Sequence, residues 1–221
     1  MSYRKAGRKI AVLLITIFMI SCVSGCNNMT VETYENAEEF RAGNFSCEAA
    51  DIKAIEIYWR SGKVNIEDTD EKPVSVSESG EKLSEKQQLH YCLKDGILEI
   101  RFAMSGEKLN ISPEDKWLQV KIPQGIDLKV HSTSADVTEE KLEHDNILIA
   151  TMSGKIDVAE VRGSNVDFSS NSGNIENAAI TADTLSVGTS SGQVECKSVE
   201  VDKAGVKSNG GNISFEDIMD S

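Results

Sequence analysis

The fold is decided by a short run of residues that recurs every nineteen positions: Ser153-Gly154-Lys155-Ile156, Ser172-Gly173-Asn174-Ile175 and Ser191-Gly192-Gln193-Val194. Gly211 continues the glycine series at the same interval, and Ala135 precedes it. Five units therefore follow one another without an insertion, from about Leu128 to Ile218. A fixed period of this length is typical of a repeat architecture, in which stacked units share one core.

Apolar residues occupy the same places in every unit. Two residues after the glycine column stand Val137, Ile156, Ile175, Val194 and Ile213, and five residues before it stand Val130, Ile149, Phe168, Val187 and Val206. Apolar and polar residues alternate locally, which is the pattern of a strand with one buried face. We therefore expect an all-β fold: a single-stack parallel β-solenoid with 19-residue coils, about 4.8 Å apart, preceded by a small antiparallel β region.

The corner of each unit carries a hydroxyl three residues before the glycine column: Ser132, Thr151, Ser170, Thr189 and Ser208. These residues share the parity of the buried positions, so we expect structural hydroxyls that bond the coils above and below, rather than nucleophiles. The glycines are expected to supply backbone angles that other residues resist. Cys196 aligns with apolar positions and is expected to be buried and inert.

The N-terminal half contains an outlying sixth copy. Ile55 and Ile57 precede Gly62, and Val64 and Ile66 follow it, at the offsets of the later units. Lys94-Asp95-Gly96 lies between two apolar runs and predicts a β-hairpin. We therefore divide the body into an N-terminal β region with a hairpin, residues 51–127, and solenoid repeats, residues 128–221, continuous with it.

The first residues form an export signal. Basic residues from Arg4 to Lys9 precede an apolar run that is too short to span a membrane, so residues 1–25 predict a signal peptide. Val23-Ser24-Gly25-Cys26 resembles a bacterial lipobox, which implies a diacylglycerol on Cys26 and an anchor at the extracytoplasmic face of the cell membrane. An ordinary cleaved signal is the alternative, and a lipobox ending at Cys22 fits less well because Ile20 is large. Residues 26–50 are acidic and aperiodic, as expected of a lipidated tether.

The charge balance excludes one class of partner. The chain of 221 residues has a net charge of −13, and removal of the signal leaves 19 basic against 36 acidic residues. Such a body repels phosphate backbones, so we expect no nucleic-acid binding.

The residues give no sign of a catalytic site or a cofactor. His90, His131 and His144 occupy unrelated positions and form no triad spacing with a serine and an acid. No cysteine or histidine spacing indicates zinc. Of the remaining cysteines, a Cys47–Cys92 disulfide stays open as an alternative to free thiols. We therefore expect a protein that is not an enzyme. A polysaccharide lyase or hydrolase is the competing class, and it would need insertions that build a cleft.

One outward column is acidic. Asp157, Glu176 and Glu195 stand three residues after successive glycines, so a parallel stack brings their carboxylates about 5 Å apart. Like charges at that distance disfavour each other unless they are screened or bridged. A hydrated surface is the simpler interpretation. A divalent-cation site or a docking strip for a cationic peptide is the sharper one.

The Ser-Gly-x-Ile/Val units and the segment Leu118–Pro123 resemble the DUF4097 β-strand-repeat family, to which the name putative adhesin is attached. The likeness covers about residues 52–218. It implies a single-stack β-solenoid, export or membrane attachment in bacteria, and in some members a link to cell-envelope stress. It carries no catalytic residues. We therefore expect a non-catalytic, lipid-anchored cell-surface binding module, whose partner is an envelope protein, a wall polymer or a cationic peptide. The alternative is an envelope-stress sensor or regulator that binds a cationic peptide or a membrane protein.

Overall fold

The computed structural model describes residues 31–80, 83–108 and 116–219. In these ranges the chain forms fifteen strands and three short 3-10 helices, Ala37–Glu39, Ala49–Asp51 and Glu85–Gln87, so the expected all-β class is confirmed. The strands are β1 (Arg41–Ala42), β2 (Phe45–Glu48), β3 (Ala54–Trp59), β4 (Lys63–Thr69), β5 (Pro73–Ser79), β6 (His90–Lys94), β7 (Ile97–Arg101), β8 (Trp117–Pro123), β9 (Asp127–Ser132), β10 (Asp136–Glu143), β11 (Asn146–Thr151), β12 (Ile156–Ser170), β13 (Ile175–Thr189), β14 (Val194–Ser208) and β15 (Ile213–Met219). No helix among the described residues is long and apolar enough to cross a membrane.

All of these strands belong to one curled sheet with the order β1-β6-β7-β3-β9-β11-β12-β10-β4-β8-β5-β2. Three further strands extend the sheet from β12: β13 pairs with β12, β14 pairs with β13, and β15 pairs with β14. The sheet has two limbs because β12 is fifteen residues long. The first half of β12 pairs with β10, and its second half pairs with β11. We call the outward surface of β7, β3, β9, β11 and the second halves of β12–β14 the β9 face. The outward surface of β4, β10 and the first halves of β12–β14 is the β10 face.

Neighbouring strands from β9 onward run parallel with a constant offset. Ile156 of β12 is level with Ile175 of β13, which is level with Val194 of β14. The second halves follow the same register, with Phe168 level with Val187. The apolar columns of the repeat therefore stack on one another and form a continuous buried core.

The outlying copy around Gly62 joins this stack. Ile55 of β3 is level with Leu128 of β9, and Val64 of β4 is level with Val137 of β10, in parallel pairs. The expected antiparallel region is therefore only partly correct. The pairs β6–β7, β5–β8, β2–β5 and β1–β6 are antiparallel, whereas β3–β7 and β4–β8 are parallel. β3 and β4 themselves join the parallel stack because they carry the repeat's apolar pattern, which is buried when they stack on the first repeat.

The predicted hairpin is confirmed. Lys94 pairs with Ile97 across a two-residue turn, and Asp95 and Gly96 both have positive φ, 54° and 84°. Two-residue hairpin turns with positive φ at both positions match the twist of the flanking strands, and Asp-Gly is a favoured sequence for them.

Residues 41–48 correct the predicted tether. β1 pairs with β6 at one end of the sheet order, and β2 pairs with β5 at the other end. One short stretch of chain therefore clasps both ends of the curled sheet. We call residues 41–48 the clasp. The tether expected over residues 26–50 cannot include them, because the half-buried Phe45 and Cys47 pack against the core.

The repeated glycines serve a purpose different from the one expected. Of the glycines at unit corners, only Gly62 has positive φ, at 84°. A Cβ atom on Gly173 would instead overlap the carbonyl oxygen of Gly154 in the preceding unit, and one on Gly192 would overlap that of Gly173. From Gly154 onward the glycines are needed because each corner lies too close to the preceding one for a side chain, whereas the first unit has Ala135 at this position.

Four of the five corner hydroxyls are buried, as expected, and Ser208 is half-buried, but their hydrogen-bond partners lie in their own unit and not in the neighbouring units. The hydroxyl oxygen of Ser170 accepts a hydrogen bond from the N–H of Gly173 at 2.8 Å, and that of Thr189 accepts one from Gly192 at 2.9 Å. Each hydroxyl therefore closes the corner of its own unit. Cys196 is buried, and burial, helped by Glu195, raises the pKa of its thiol to about 11.

Candidate binding surface

The acidic column lies on the β10 face, where Asp157, Glu176 and Glu195 are level with one another on β12, β13 and β14. A cation already stands between the first two. The ammonium group of Lys155 lies 2.9 Å from a carboxylate oxygen of Asp157 and 2.8 Å from one of Glu176. These carboxylates raise the pKa of Lys155. Lys155 therefore relieves the repulsion that the sequence predicted. The described residues contain no group of three or more histidine, cysteine, aspartate or glutamate side chains arranged to hold a metal ion.

A more structured array lies on the β9 face. The guanidinium of Arg101 on β7 lies 3.7 Å from the ring centre of Tyr58 on β3, and 4.8 Å from that of Tyr34. The other face of Tyr58 stacks on His131 of β9, with ring centres 5.0 Å apart and an angle of 16° between the planes. We call Tyr34, Arg101, Tyr58 and His131 the ring stack. Its members on the sheet are level with one another across three parallel strands.

The ring stack is fixed by electrostatics as well as by ring contacts. Burial, helped by the nearby Glu56 carboxylate, raises the pKa of Tyr58 to about 12, so the phenol is neutral and its hydroxyl donates a hydrogen bond to Glu56. Burial lowers the pKa of His131, which favours the neutral imidazole. A neutral ring that lies against another ring offers its remaining face to an apolar or cationic group.

A second outward row on the same face carries three carboxylates. Glu99 pairs with Arg101, and Glu56 pairs with Lys129 at 2.8 Å. Although burial raises the pKa of Glu56, the ammonium of Lys129 lowers it further, and the net shift is downward. Asp167 differs, because no cation among the described residues lies within salt-bridge distance of it. Burial raises the pKa of Asp167, although a hydrogen bond with Ser186 lowers it.

Beyond His131 the outward side chains of the β9 face become small. Ala150, Ser169 and Gly188 continue its column on the next three strands. A methyl group added at Gly188 would contact nothing within 4 Å, so the space above the sheet is open there. The half-buried His131 therefore stands at the head of a column of small residues that leads to this open part of the sheet, and Asp167 lies in the adjacent outward row.

Two buried polar pairs that the sequence did not reveal lie elsewhere. The side chains of His144, directly after β10, and Asp68, in β4, are both largely buried and lie 2.8 Å apart, and Asp68 also accepts the backbone N–H of Glu143. Lys116 is 1% exposed and pairs with Glu78 at 2.8 Å, below the rings of Trp59 and Phe102. Each pair joins residues that are distant in sequence and carry no spacing signal. The first pair links β4 to the end of β10, and the second links β5 to the start of β8.

The contact between Tyr58 and His131 in the ring stack has a signal in the sequence. Tyr58 stands four residues before Gly62, and His131 stands four residues before Ala135, so both occupy the same outward column. Extending that column to the outlying copy predicts their contact. Arg101 lies in the inserted hairpin and has no place in the repeat, so its position required the structure.

The remaining residues singled out in the sequence are the cysteines and histidines. Cys26, expected to carry lipid, lies outside the described residues. Cys47, Cys92 and Cys196 are all free thiols, so the Cys47–Cys92 disulfide is not formed. Of the three histidines, His131 lies on the β9 face, whereas His90 and His144 are buried.

Comparisons with known proteins place the chain in a family. The family model described as Toastrack DUF4097 matches residues 52–220, so this protein belongs to the DUF4097 family. No curated protein matches it. Similar solved structures include a putative adhesin from Parabacteroides distasonis ATCC 8503, with 14% identity, coverage of 80% of this chain and 93% of that one, and a TM-score of 0.49. A putative adhesin from Parabacteroides merdae ATCC 43184 has 13% identity, coverage of 81% and 93%, and a TM-score of 0.44. A putative cell adhesion protein from Clostridium sporogenes ATCC 15579 has 14% identity, coverage of 80% and 100%, and a TM-score of 0.37.

Proposed function

We propose that this protein is a non-catalytic binding module, attached by a lipid on Cys26 to the extracytoplasmic face of the cell membrane. The lipobox-like sequence Val23-Ser24-Gly25-Cys26 supports the anchor. The strongly acidic body repels nucleic acid and anionic lipid surfaces, which supports a binding partner of another kind.

The binding body in this proposal is a single-stack parallel β-solenoid. Its support is the constant offset between β12, β13 and β14, together with the fifteen-residue length of each of these strands. A strand of this length bends from the β10 limb into the β9 limb, so each unit contributes one coil. Such a stack presents rows of outward side chains at the strand spacing of about 4.8 Å.

The observation that carries the proposal is the ring stack on the β9 face. Four side chains are held in place by mutual contacts on an outward surface, where they add little to the core. Side chains that are immobilised before binding lose little conformational entropy when a partner arrives. A rigid aromatic and cationic array beside open sheet is therefore suited to contact a partner.

Crosslinking in intact cells tests the binding function. Photo-reactive groups are placed one at a time on the β9 face at Ser169 and Gly188, and on the β10 face at Asp157 and Glu176. We expect one defined partner to be captured from one face, and the other face to serve as the control. Absence of any defined partner from both faces would contradict the proposed function.

The anchor is tested separately by the substitution Cys26→Ala. We expect the variant to leave the membrane fraction and to lose incorporation of a labelled fatty acid, because the thioether can no longer form. Cys22→Ala, which removes the competing cysteine, is expected to retain both. Membrane retention and fatty-acid labelling of the Cys26→Ala protein would show that the lipobox assignment is wrong.

The non-catalytic part is tested by incubating the protein with pectin, alginate and peptidoglycan. We expect no release of product from any of them. Accumulation of an unsaturated or reducing oligosaccharide would revive the lyase or hydrolase alternative.

A sensor or regulator of the envelope stress response is the second candidate. One observation favours it: the half-buried Asp167, without a cation in salt-bridge distance among the described residues, lies on a body with a net negative charge. Such a carboxylate suits a cationic peptide or the basic segment of a membrane protein. Capture of a membrane kinase or transporter in the crosslinking experiment would favour this candidate over a passive surface protein.

A further inference from the structure

We propose that the β9 face binds an arginine side chain of a peptide partner, with the guanidinium stacked on His131 above Ala150 and paired with Asp167. This inference deepens the proposed binding function and rests on it. It commits to a peptide that carries arginine, rather than to a glycan or a lipid.

The first support is an arrangement that the protein already contains on the same face. The guanidinium of Arg101 lies 3.7 Å from the ring centre of Tyr58 and pairs with Glu99 in the adjacent outward row. Arginine suits such places because its planar, weakly hydrated cation stacks on rings while its N–H groups reach a carboxylate. Arg101 therefore shows which chemistry this surface stabilises.

The second support is that the ring stack ends at His131, a half-buried ring. His131 uses one face against Tyr58, and the next position along its column is Ala150, whose side chain is a single methyl group. Strands in this sheet are about 4.8 Å apart, a spacing close to the separation of the rings of Tyr58 and His131. A planar group above Ala150 would therefore continue the stack by one member.

The third support is charge. In the outward row that holds Glu99, Glu56 and Asp167, the first two carboxylates each have a cation, Arg101 and Lys129 respectively. Asp167 has a hydrogen bond with Ser186, and no cation in the described part of the chain lies within salt-bridge distance of it. Ala150 is level with Ser169, which stands two residues after Asp167 on the same outward face, so the carboxylate lies diagonally from the position above Ala150. A bound guanidinium would supply Asp167 with a cation partner of the kind that Glu99 and Glu56 already have.

The test uses the full chain in detergent micelles and two fluorescent peptides, one alternating arginine with glycine and one alternating lysine with glycine. Because both carry the same charge, attraction to an acidic protein alone treats them alike. We expect the arginine peptide to bind about tenfold more tightly, since only guanidinium combines stacking with a bidentate ion pair.

Three variants locate the site. Asp167→Asn is expected to weaken binding of the arginine peptide about tenfold, the equivalent of one partly desolvated ion pair. Ala150→Trp keeps every charge but fills the position beside His131, and it is expected to abolish binding. Asp157→Asn is the matched control, because it removes the same charge from the β10 face, where Lys155 already pairs with Asp157. Binding to this control should stay within about twofold of the unaltered chain, as for a distant surface charge.

Several outcomes would overturn the proposal. Equal affinity for the two peptides would show that stacking plays no part. An equal loss in Asp167→Asn and Asp157→Asn would show general electrostatic attraction. Undiminished binding to Ala150→Trp would place the peptide elsewhere, and this variant remains informative if Asp167→Asn fails to fold. Capture of a partner only through the β10 face in cells would leave the binding function standing while this site fails.

Discussion

At the scale of single residues, the corner glycines from Gly154 onward are required by the close approach of consecutive units and not by backbone conformation. The nearest atoms to a Cβ on Gly173 belong to the backbone of Gly154, which cannot move without separating the two units. Gly188 lies in β13, the strand that begins two residues after Gly173, and a Cβ atom added there would have nothing within 4 Å. The two glycines therefore form a natural pair for comparison.

We expect Gly173→Ala to lower the free energy of unfolding by about 1–3 kcal/mol, the usual range for inserting a carbon into a tightly packed site. Gly188→Ala should be neutral or slightly stabilising, because the unfolded chain loses freedom at no steric cost. Urea denaturation of the two variants measures the difference. Equal stability would mean that the corners can part easily, and the steric explanation would fail.

Glu139 is a second residue whose behaviour follows from its surroundings. It lies half-buried in β10, level with the buried Val158, and burial, helped by Asp68 and Glu67, raises its pKa to about 7. The folded protein therefore prefers the protonated form. Relative to an unfolded pKa near 4.5, stability from this residue is full at low pH and is lost as the pH rises toward and through 7.

The substitution Glu139→Gln tests this pH dependence. At pH 8 we expect the free energy of unfolding of the variant to exceed that of the unaltered protein by about 1 kcal/mol after solvent screening, so the variant unfolds at a higher temperature. At pH 4 the two proteins should unfold at nearly the same temperature. The exposed neighbour Glu140 provides the control, since Glu140→Gln should change neither value. A Glu139→Gln variant with an unchanged pH profile would show that this carboxyl is ionised without penalty.

At the scale of elements, the clasp joins the two ends of the sheet. β1 contributes only two residues to its pairing with β6, so backbone bonds alone hold this end weakly. The stacking of Phe45 on Tyr91, with ring centres 3.6 Å apart, links the start of β2 to β6. The side chain of Asn44 also accepts the backbone N–H of Glu78 on β5. The clasp therefore depends on a few side chains.

We expect Phe45→Ala to loosen the clasp by about 1–2 kcal/mol, as the loss of an aromatic pair and part of its buried area predicts. Hydrogen exchange should accelerate in β6 and β5 and stay unchanged in β13. Phe40→Ala, which removes an aromatic contact with Tyr34 outside the clasp, serves as the control. Uniform acceleration through the whole sheet would instead indicate that the clasp is part of one cooperative unit.

At the scale of the whole molecule, excess negative charge opposes the compact state. Self-repulsion is weakened when salt shortens the Debye length, from about 30 Å at 0.01 M to about 8 Å at 0.15 M. The acidic column contributes less than its sequence suggests, because Lys155 bridges Asp157 and Glu176. Long-range repulsion between the other acidic residues remains as an electrostatic cost that salt can reduce.

We expect the melting temperature to rise with sodium chloride over that range. Calcium chloride at matched ionic strength should give no additional rise, because the first two carboxylates of the column already share an ammonium group. Differential scanning calorimetry in the two salts measures both effects. A further increase with calcium, lost in Glu195→Gln, would restore the divalent-cation interpretation of Asp157, Glu176 and Glu195.

The sequence by itself determined what depends on periodicity and local chemistry. The nineteen-residue columns indicated the all-β class, the buried positions and the inert Cys196, and Asp95-Gly96 indicated the hairpin. These features are readable because a strand repeats every two residues and a two-residue turn needs positive φ. The tertiary structure alone decided which distant residues meet: the clasp at both ends of the sheet, the steric role of Gly173, the bridge through Lys155, and Arg101 upon Tyr58. Such contacts depend on interatomic distances that no sequence spacing specifies, and the clasp and Arg101 also lie outside the regular repeat.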